Sequence, residues 1–410
     1  MKVLVYEHVS GGGYAGQPLD PSVLSEGFSM LSCLAKDFKA AEHEVTILLD
    51  ARLSKFNPPL DADCIVPVFY SKKNEEMFED AAKINDAVYV IAPETEQILQ
   101  SFVDLGGKTG KLSLNCEADA ICKITDKSVL YDSLKKNGLL TPETLIFNVD
   151  DESADINCEI KKKLGYPVVF KPLKSTSCGG LSVVQEDSQI DAAVAKIKTV
   201  TSLKKFLVQE FILGEAASVS LLCGKDRALA ISLNKQNVQL APPDAASSYE
   251  GGLVPFYHPL KPETFTIAEK VAMSFSGLRG YIGVDFVLTQ DEPFVVDVNP
   301  RLTTSFIGLR GVAGFNVAEA MVNAVLKNKL PTLQEYRDFS YFSKVRTASP
   351  SLQACQKATR IKGVISPPFP LEATLEAVSM IIGQGESLSE SRLRFEEAKK
   401  RLFDIIRRGK

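Results

Sequence analysis

The sequence predicts a mixed α/β and α+β chain, with a parallel, doubly wound front followed by a part built on antiparallel ribbon. Three observations predict it. Short β-branched runs alternate with helical apolar periodicity over about the first hundred residues. A strand that ends in Lys171 runs into a loop of small residues, and two apolar runs flank a polar turn at Thr289-Gln290-Asp291-Glu292.

The first element is a strand, Lys2–Glu7, leading into Ser10-Gly11-Gly12-Gly13. A helix follows, with Asp20 as its cap and Pro21 in the first turn, where a missing N–H costs nothing. Leu24, Phe28, Leu31, Ala35 and Phe38 recur at spacings of three and four, one apolar face to lay on a sheet. Glu44–Leu49, Cys64–Pro67 and Ala87–Ile91 read as the next strands, which argues for parallel order. From Thr125 the pattern changes: Asp126-Lys127 opens a helix with Val129, Leu130 and Leu134 on one face, stopped at Gly138. Tyr166–Phe170 is a strand delivering Lys171, and Tyr281–Leu288 with Pro293–Val298 forms a hairpin. Near the end, Gly363-Val364-Ile365 reads as a short strand before a Pro-rich turn. A last helix from about Leu388 to Ile406 places Leu393, Phe395, Ala398, Leu402 and Ile405 on its apolar face, to pack on the core.

The chain has 410 residues, enough for two or three domains at about 150 each. Its formal charge of −4 supplies no basic field for a phosphate backbone, so nucleic acid is not an expected partner. Apolar stretches such as Val88–Ala92 are far shorter than the roughly 20 residues of a membrane span, and the first residues carry no signal-peptide core, so a cytoplasmic protein is expected. The eight cysteines form no CxxC pair and there are three histidines, so zinc has little to bind. Nothing in the sequence argues against a homo-oligomer.

Gly11, Gly13 and Gly16 match G-x-G-x-x-G after a strand. The match fails as a dinucleotide site: Gly16 opens no helix, and Asp50 lies well beyond the about 20 residues at which an acid is expected. A loop offering Ser10, Gly11, Gly12 and Gly13 amides to a small anion, or a plain turn, remains. Gly107-Lys108-Thr109 is no P-loop either, since Phe102 stands where the first glycine belongs.

Lys171 offers a point charge, and Ser175, Thr176, Ser177, Cys178, Gly179 and Gly180 a loop whose amides can approach phosphate oxygens. The hairpin is more specific. With its turn centred near Asp291, Asp285 pairs with Asp297 across antiparallel strands, and Asn299 shares the face of Asp297. Two like charges opposed among Val284, Phe286, Val295 and Val296 repel unless a cation lies between them, and such oxygens suit a hard divalent ion.

Lys127, Lys171 with its loop, Gln209-Glu210-Phe211-Ile212, Asp285 and Asp297-Val298-Asn299-Pro300-Arg301 follow in an order that resembles the ATP-grasp superfamily, over about residues 1–330. The resemblance implies an ATP-grasp fold: a Rossmann-like N-terminal domain over 1–110, an ATP-grasp domain of two α+β subdomains over 111–330, and a C-terminal extension over 331–410. It implies that Lys127 and Lys171 hold ATP phosphates under the loop Ser175–Gly180, and that Gln209, Glu210, Phe211 and Ile212 meet the adenine. Asp285, Asp297 and Asn299 would then hold Mg²⁺ (or Mn²⁺), and Arg301 would steady an acyl phosphate. Two departures stand out: Asp297 replaces the usual Glu, and the ribose-binding acid falls at Ala216, with Glu215 one place early and on the opposite strand face.

The activity implied is an ATP-dependent carboxylate–amine ligase acting on small molecules. The opening Glu7–Gly13, with Asn234-Lys235-Gln236, Tyr249-Glu250-Gly251-Gly252 and Ser366–Pro370, is similar to an archaeal and methylotroph branch of the family that joins an amino-acid carboxylate to an amine. Asn234, Gln236, Tyr249 and Gly251 are then candidates for the acceptor pocket. The alternatives are a nucleotide-binding regulatory protein without turnover, motivated by Ala216 and Asp297, and a nicotinamide-dependent oxidoreductase using Gly11–Gly16.

Overall fold

The computed structural model describes residues 1–70, 73–174, 178–371 and 375–408. The front is a five-stranded parallel sheet in the order Cys64–Val68, Glu44–Asp50, Lys2–Glu7, Ala87–Ile91, Leu112–Ser113. Its four longer strands lie where periodicity places them; the fifth has only two residues, too few to carry a pattern. The helix Pro21–Ala40 begins as expected, with Asp20 Oδ1 accepting from the Ser22 and Val23 amides at 2.8 and 3.0 Å. All five residues of its predicted apolar face are buried.

A four-stranded antiparallel sheet comes next, ordered Thr144–Asn148, Lys205–Glu210, Val168–Pro172, Ser182–Val184. Helices Ser153–Lys163 and Ile190–Val200 share a core with Val168, Phe170, Phe206 and Val208. Alternation along a strand then sends Val169 and Lys171 to the other face. In the helix Lys127–Lys136, Leu130 and Leu134 are buried as expected, but Val129 is exposed.

The largest sheet has eight strands, antiparallel throughout: Pro293–Asn299, Gly280–Leu288, Glu215–Cys223, Ala228–Gln239, Ser248–Val254, Phe339–Ala348, Glu376–Gly385, Val364–Ser366. Residue 330 therefore divides no sheet: Phe339–Ala348 hydrogen-bonds directly to Ser248–Val254, and both long C-terminal strands extend the surface that begins at the acidic hairpin. The last helix, Leu388–Arg408, buries Phe395, Ala398, Leu402 and Ile406 against this end of the sheet. Leu393 is exposed instead, because two residues before Phe395 is about 200° around the helix. Among the described residues no helix is long and apolar enough to cross a membrane.

Candidate active site

The hairpin Gly280–Leu288/Pro293–Asn299 closes on a turn in which the Thr289 amide donates to the Glu292 carbonyl at 3.0 Å. That turn centres half a residue before the position expected from sequence, and Phe286 accordingly pairs with Val295. The register then shifts, leaving Val296 as an extra residue, and Asp285 faces Asp297 as predicted. A β-bulge of this kind re-aims the residues beside it. The carbonyl of Val296 is turned to the Lys171 ammonium, 3.4 Å away.

Charge at this end is only partly paired. Lys127, at the first turn of its helix and 8% exposed, donates to Asp297 Oδ2 at 2.5 Å. Asp285 receives no cation; its oxygens accept from Gln236 Nε2 at 3.0 Å and Asn299 Nδ2 at 2.9 Å. Burial pushes the Asp285 carboxyl up to about 6, the Asp297 charge adding to the rise and the two amides opposing it. Burial likewise pulls the Lys171 ammonium down to about 8, helped by Lys127 and opposed by the two aspartates.

These groups form one end of a cavity of about 450 Å³ enclosed by all three sheets. Val169, Lys171 and Gln209–Ile212 come from the four-stranded sheet; Ala216, Val238 and Val287 come from the eight-stranded one. Such apolar walls, with converging charge at one end, suit a flat ring carrying phosphates. Among the described residues no three His, Cys, Asp or Glu side chains cluster as a metal site. The donor set here is two carboxylates and the amide oxygens of Asn299 and Gln236, hard oxygens that fit Mg²⁺ or Mn²⁺.

The first helix forms a further wall and presents Val23, Glu26, Gly27 and Met30 along one face. Arg301 is held by Glu94, with Nε 2.8 Å from Oε1 and an Nη2 bond of 3.0 Å to Oε2. Glu26 is held by Lys344 and by Thr304 Oγ1, the latter at 2.9 Å.

A family model described as an ATP-grasp domain matches residues 124–305, and one described as a pre ATP-grasp 3 domain matches residues 43–121. The chain carries an ATP-grasp domain behind a pre-ATP-grasp domain. It is 28% identical over 340 residues to the tyramine–L-glutamate ligase of Methanocaldococcus fervens, covering 82% of this chain and 99% of that protein. Its fold is that of an ATP-grasp superfamily protein from Archaeoglobus fulgidus, with a TM-score of 0.63 at 21% identity, covering 93% of this chain and 99% of that one. An L-amino acid ligase from Bacillus licheniformis has the same fold, with a TM-score of 0.66 at 14% identity and 97% of both chains covered.

Several ATP-grasp positions read from the sequence lie together in the cavity: Lys127, Lys171, Gln209, Glu210, Phe211, Ile212, Asp285, Asp297, Asn299 and Arg301, with Gln236 and Tyr249. Ser175, Thr176 and Ser177 lie outside the described residues. Of the loop that follows, Cys178 and Leu181 line the cavity whereas Gly179 and Gly180 do not; Gly180, at φ +75°, packs on Pro172 and Val200. Glu215 turns from the cavity to Lys235, 3.0 Å away, while Ala216 faces in.

Three substrate assignments change. Asn234 shares the strand face of Gln236, but it is fully buried in a serine cluster that takes up its amide, bonded to Ser218, Ser220 and Ser232. Gly251, at φ +135°, lies against the Phe342 carbonyl inside the sheet, where any Cβ would sit 2.1 Å from that oxygen. The Ser10–Gly13 loop offers little to an anion or a dinucleotide. Ser10 N and Oγ donate to Glu7 at 2.7 and 2.5 Å, Gly11 N to the Glu7 carbonyl and Gly13 N to the His8 carbonyl. Glu7 is thus the loop's own anion and lines the cavity itself; burial raises its carboxyl pKa against those donors. Glu26, Glu94 and Lys344 escaped the sequence reading because no local motif links residues so distant along the chain.

Proposed function

We propose that this ATP-grasp enzyme activates a substrate carboxylate as an acyl phosphate and joins it to an amine, releasing ADP and phosphate, with L-glutamate as the acid and tyramine as the amine. The observation that carries the reading is the opposed pair Asp285 and Asp297 with Lys127 and Lys171 in one cavity. The M. fervens relative, named for tyramine and L-glutamate, supports the substrates.

Chemically, a carboxylate oxygen attacks the γ-phosphorus and the bond to ADP breaks. The amine nitrogen then attacks the acyl carbon, phosphate departs, and the nitrogen loses a proton. Asp285, Asp297 and Asn299 would hold Mg²⁺ or Mn²⁺, which supplies neutralisation of phosphate charge. Lys127 and Lys171 would bind phosphate oxygens, a role suited to ammonium groups in a dry site. Arg301, oriented by Glu94, would bind oxygens of the transferred group. Val9, Tyr14, Val23 and Met30 form an apolar wall for the ring of an aromatic amine.

The test is release of ADP and phosphate on a panel of amines with L-glutamate. Release that requires both substrates, and that falls at least about 100-fold in Asp297→Asn, supports the reading. Unchanged release in that variant overturns the metal assignment, and release needing neither substrate overturns ligation. Ala216 favours a second reading, a protein that binds nucleotide without turnover; it predicts ADP binding with no product for any pair.

A further inference from the structure

Glu26 and Lys344 lie outside both segments matched to the family, at residues 43–121 and 124–305, and they come from the first helix and a C-terminal strand. Both side chains are nearly dry, 8% and 4% exposed, and they pair directly. Each is also held in place: Thr304 Oγ1 donates to Glu26, Lys344 donates to Ser22 Oγ at 2.8 Å, and the Lys344 ammonium lies 5.9 Å from the centre of the Tyr249 ring. Glu26, Thr304 and Tyr249 all line the cavity.

We propose that the Glu26–Lys344 pair is the docking site for the α-ammonium and α-carboxylate of the amino-acid substrate. The proposal rests on the ligase reading above and names the residues that select its acid. A dry ion pair contributes little net stability compared with apolar residues of the same volume, so one whose carboxylate stands in a cavity wall calls for another reason. A lone cation arriving at Glu26 would strand Lys344, and a lone anion at Lys344 would strand Glu26; either leaves a buried charge unpaired. A zwitterionic head group brings one charge of each sign. The α-ammonium takes Glu26, the α-carboxylate takes Lys344, and two pairs replace one with no net charge added. Thr304 and Ser22 keep the two protein groups in register while the exchange occurs. A site of this kind rejects a molecule lacking either charge, because the partner is then left desolvated. Glutarate, which is glutamate without the α-ammonium, is the direct probe.

The experiment measures calorimetric binding of glutamate and glutarate to the full chain with ADP and Mg²⁺, thermal unfolding of each variant, and ADP release with an amine. The wild type is expected to bind glutamate at least about tenfold more tightly than glutarate, and Glu26→Gln to erase most of that difference. The double reversal Glu26→Lys/Lys344→Glu restores an ion pair but inverts its sense. It should unfold within a few degrees of the wild type yet lose glutamate binding. Should the reversal fail to fold, the near-isosteric Glu26→Gln still gives the glutamate-to-glutarate ratio. Wild-type affinity for glutamate in the reversal would show the pair to be only a tether between domains and overturn the proposal. Equal binding and equal ADP release with glutarate would overturn it while leaving the ligase reading intact. Selective glutamate binding lost in Glu26→Gln, without product from any amine, would uphold the docking site and sink the ligase reading.

Discussion

At the hairpin end of the cavity, Asp285 is held by two amides and Lys171 by a carbonyl, and burial shifts both away from their charged forms. Just beyond the hairpin Arg301 meets Glu94, and at the first helix Lys344 meets Glu26, in direct ion pairs. The first arrangement leaves charge under stress and is relieved by a ligand that brings cations and phosphates together. The second is satisfied in advance and admits a ligand only by exchange. One cavity thus holds a set of charges that burial strains and a second set already paired.

The sharpest way to break this contrast is Lys171→Met. Activity with ATP should fall at least about 100-fold, while the nucleotide-free protein gains about 1–3 kcal/mol of stability at pH 7, because a strained ammonium is gone. Denaturant unfolding beside steady-state kinetics checks both. A loss of stability would mean that Lys171 is comfortable where it is. Next in size, Glu94→Gln should cost about 3 kcal/mol in urea unfolding, since Arg301 keeps its buried charge and loses its partner.

A pH series separates the ends further. With its carboxyl raised to about 6, native Asp285 keeps a proton that the unfolded chain has already released, so its contribution to stability falls as pH rises from about 4 to 6. Asp285→Asn should flatten that part of the curve and be the more stable protein above pH 6 by about 1 kcal/mol, read from melting at fixed pH steps. The smallest expected effect belongs outside the cavity. Glu215→Ala breaks only an exposed pair with Lys235, so stability should move by less than about 1 kcal/mol and the KM for ATP by no more than about twofold. A large rise in that KM would return Glu215 to the nucleotide.

Local signals carried the front sheet, the capped first helix and the acidic hairpin, because period, caps and turn chemistry lie within a few neighbouring residues. The opposition of Asp285 and Asp297 was legible although the turn was centred half a residue late; the bulge at Val296 supplied the difference. What was hidden depends on distant partners. Asn234 looked like a pocket residue because nothing in Asn234-Lys235-Gln236 says which alternate position meets the serine cluster and which meets Asp285. The glycine loop looked open because Glu7, its internal acceptor, read simply as the end of a strand. Lys344 gave no signal at all, its partner being more than three hundred residues away.

The pairing of Ser248–Val254 with Phe339–Ala348 has a practical consequence for chimeras and trimmed proteins. Cutting near residue 330 would strip a central strand of its partner over Gly251–Val254 and unseat Phe342, which is fully buried against the preceding parts of the chain. The final eighty residues are therefore no detachable accessory. Exchanging them between family members would transplant three of the eight strands of the largest sheet, and with them the lysine that neutralises Glu26.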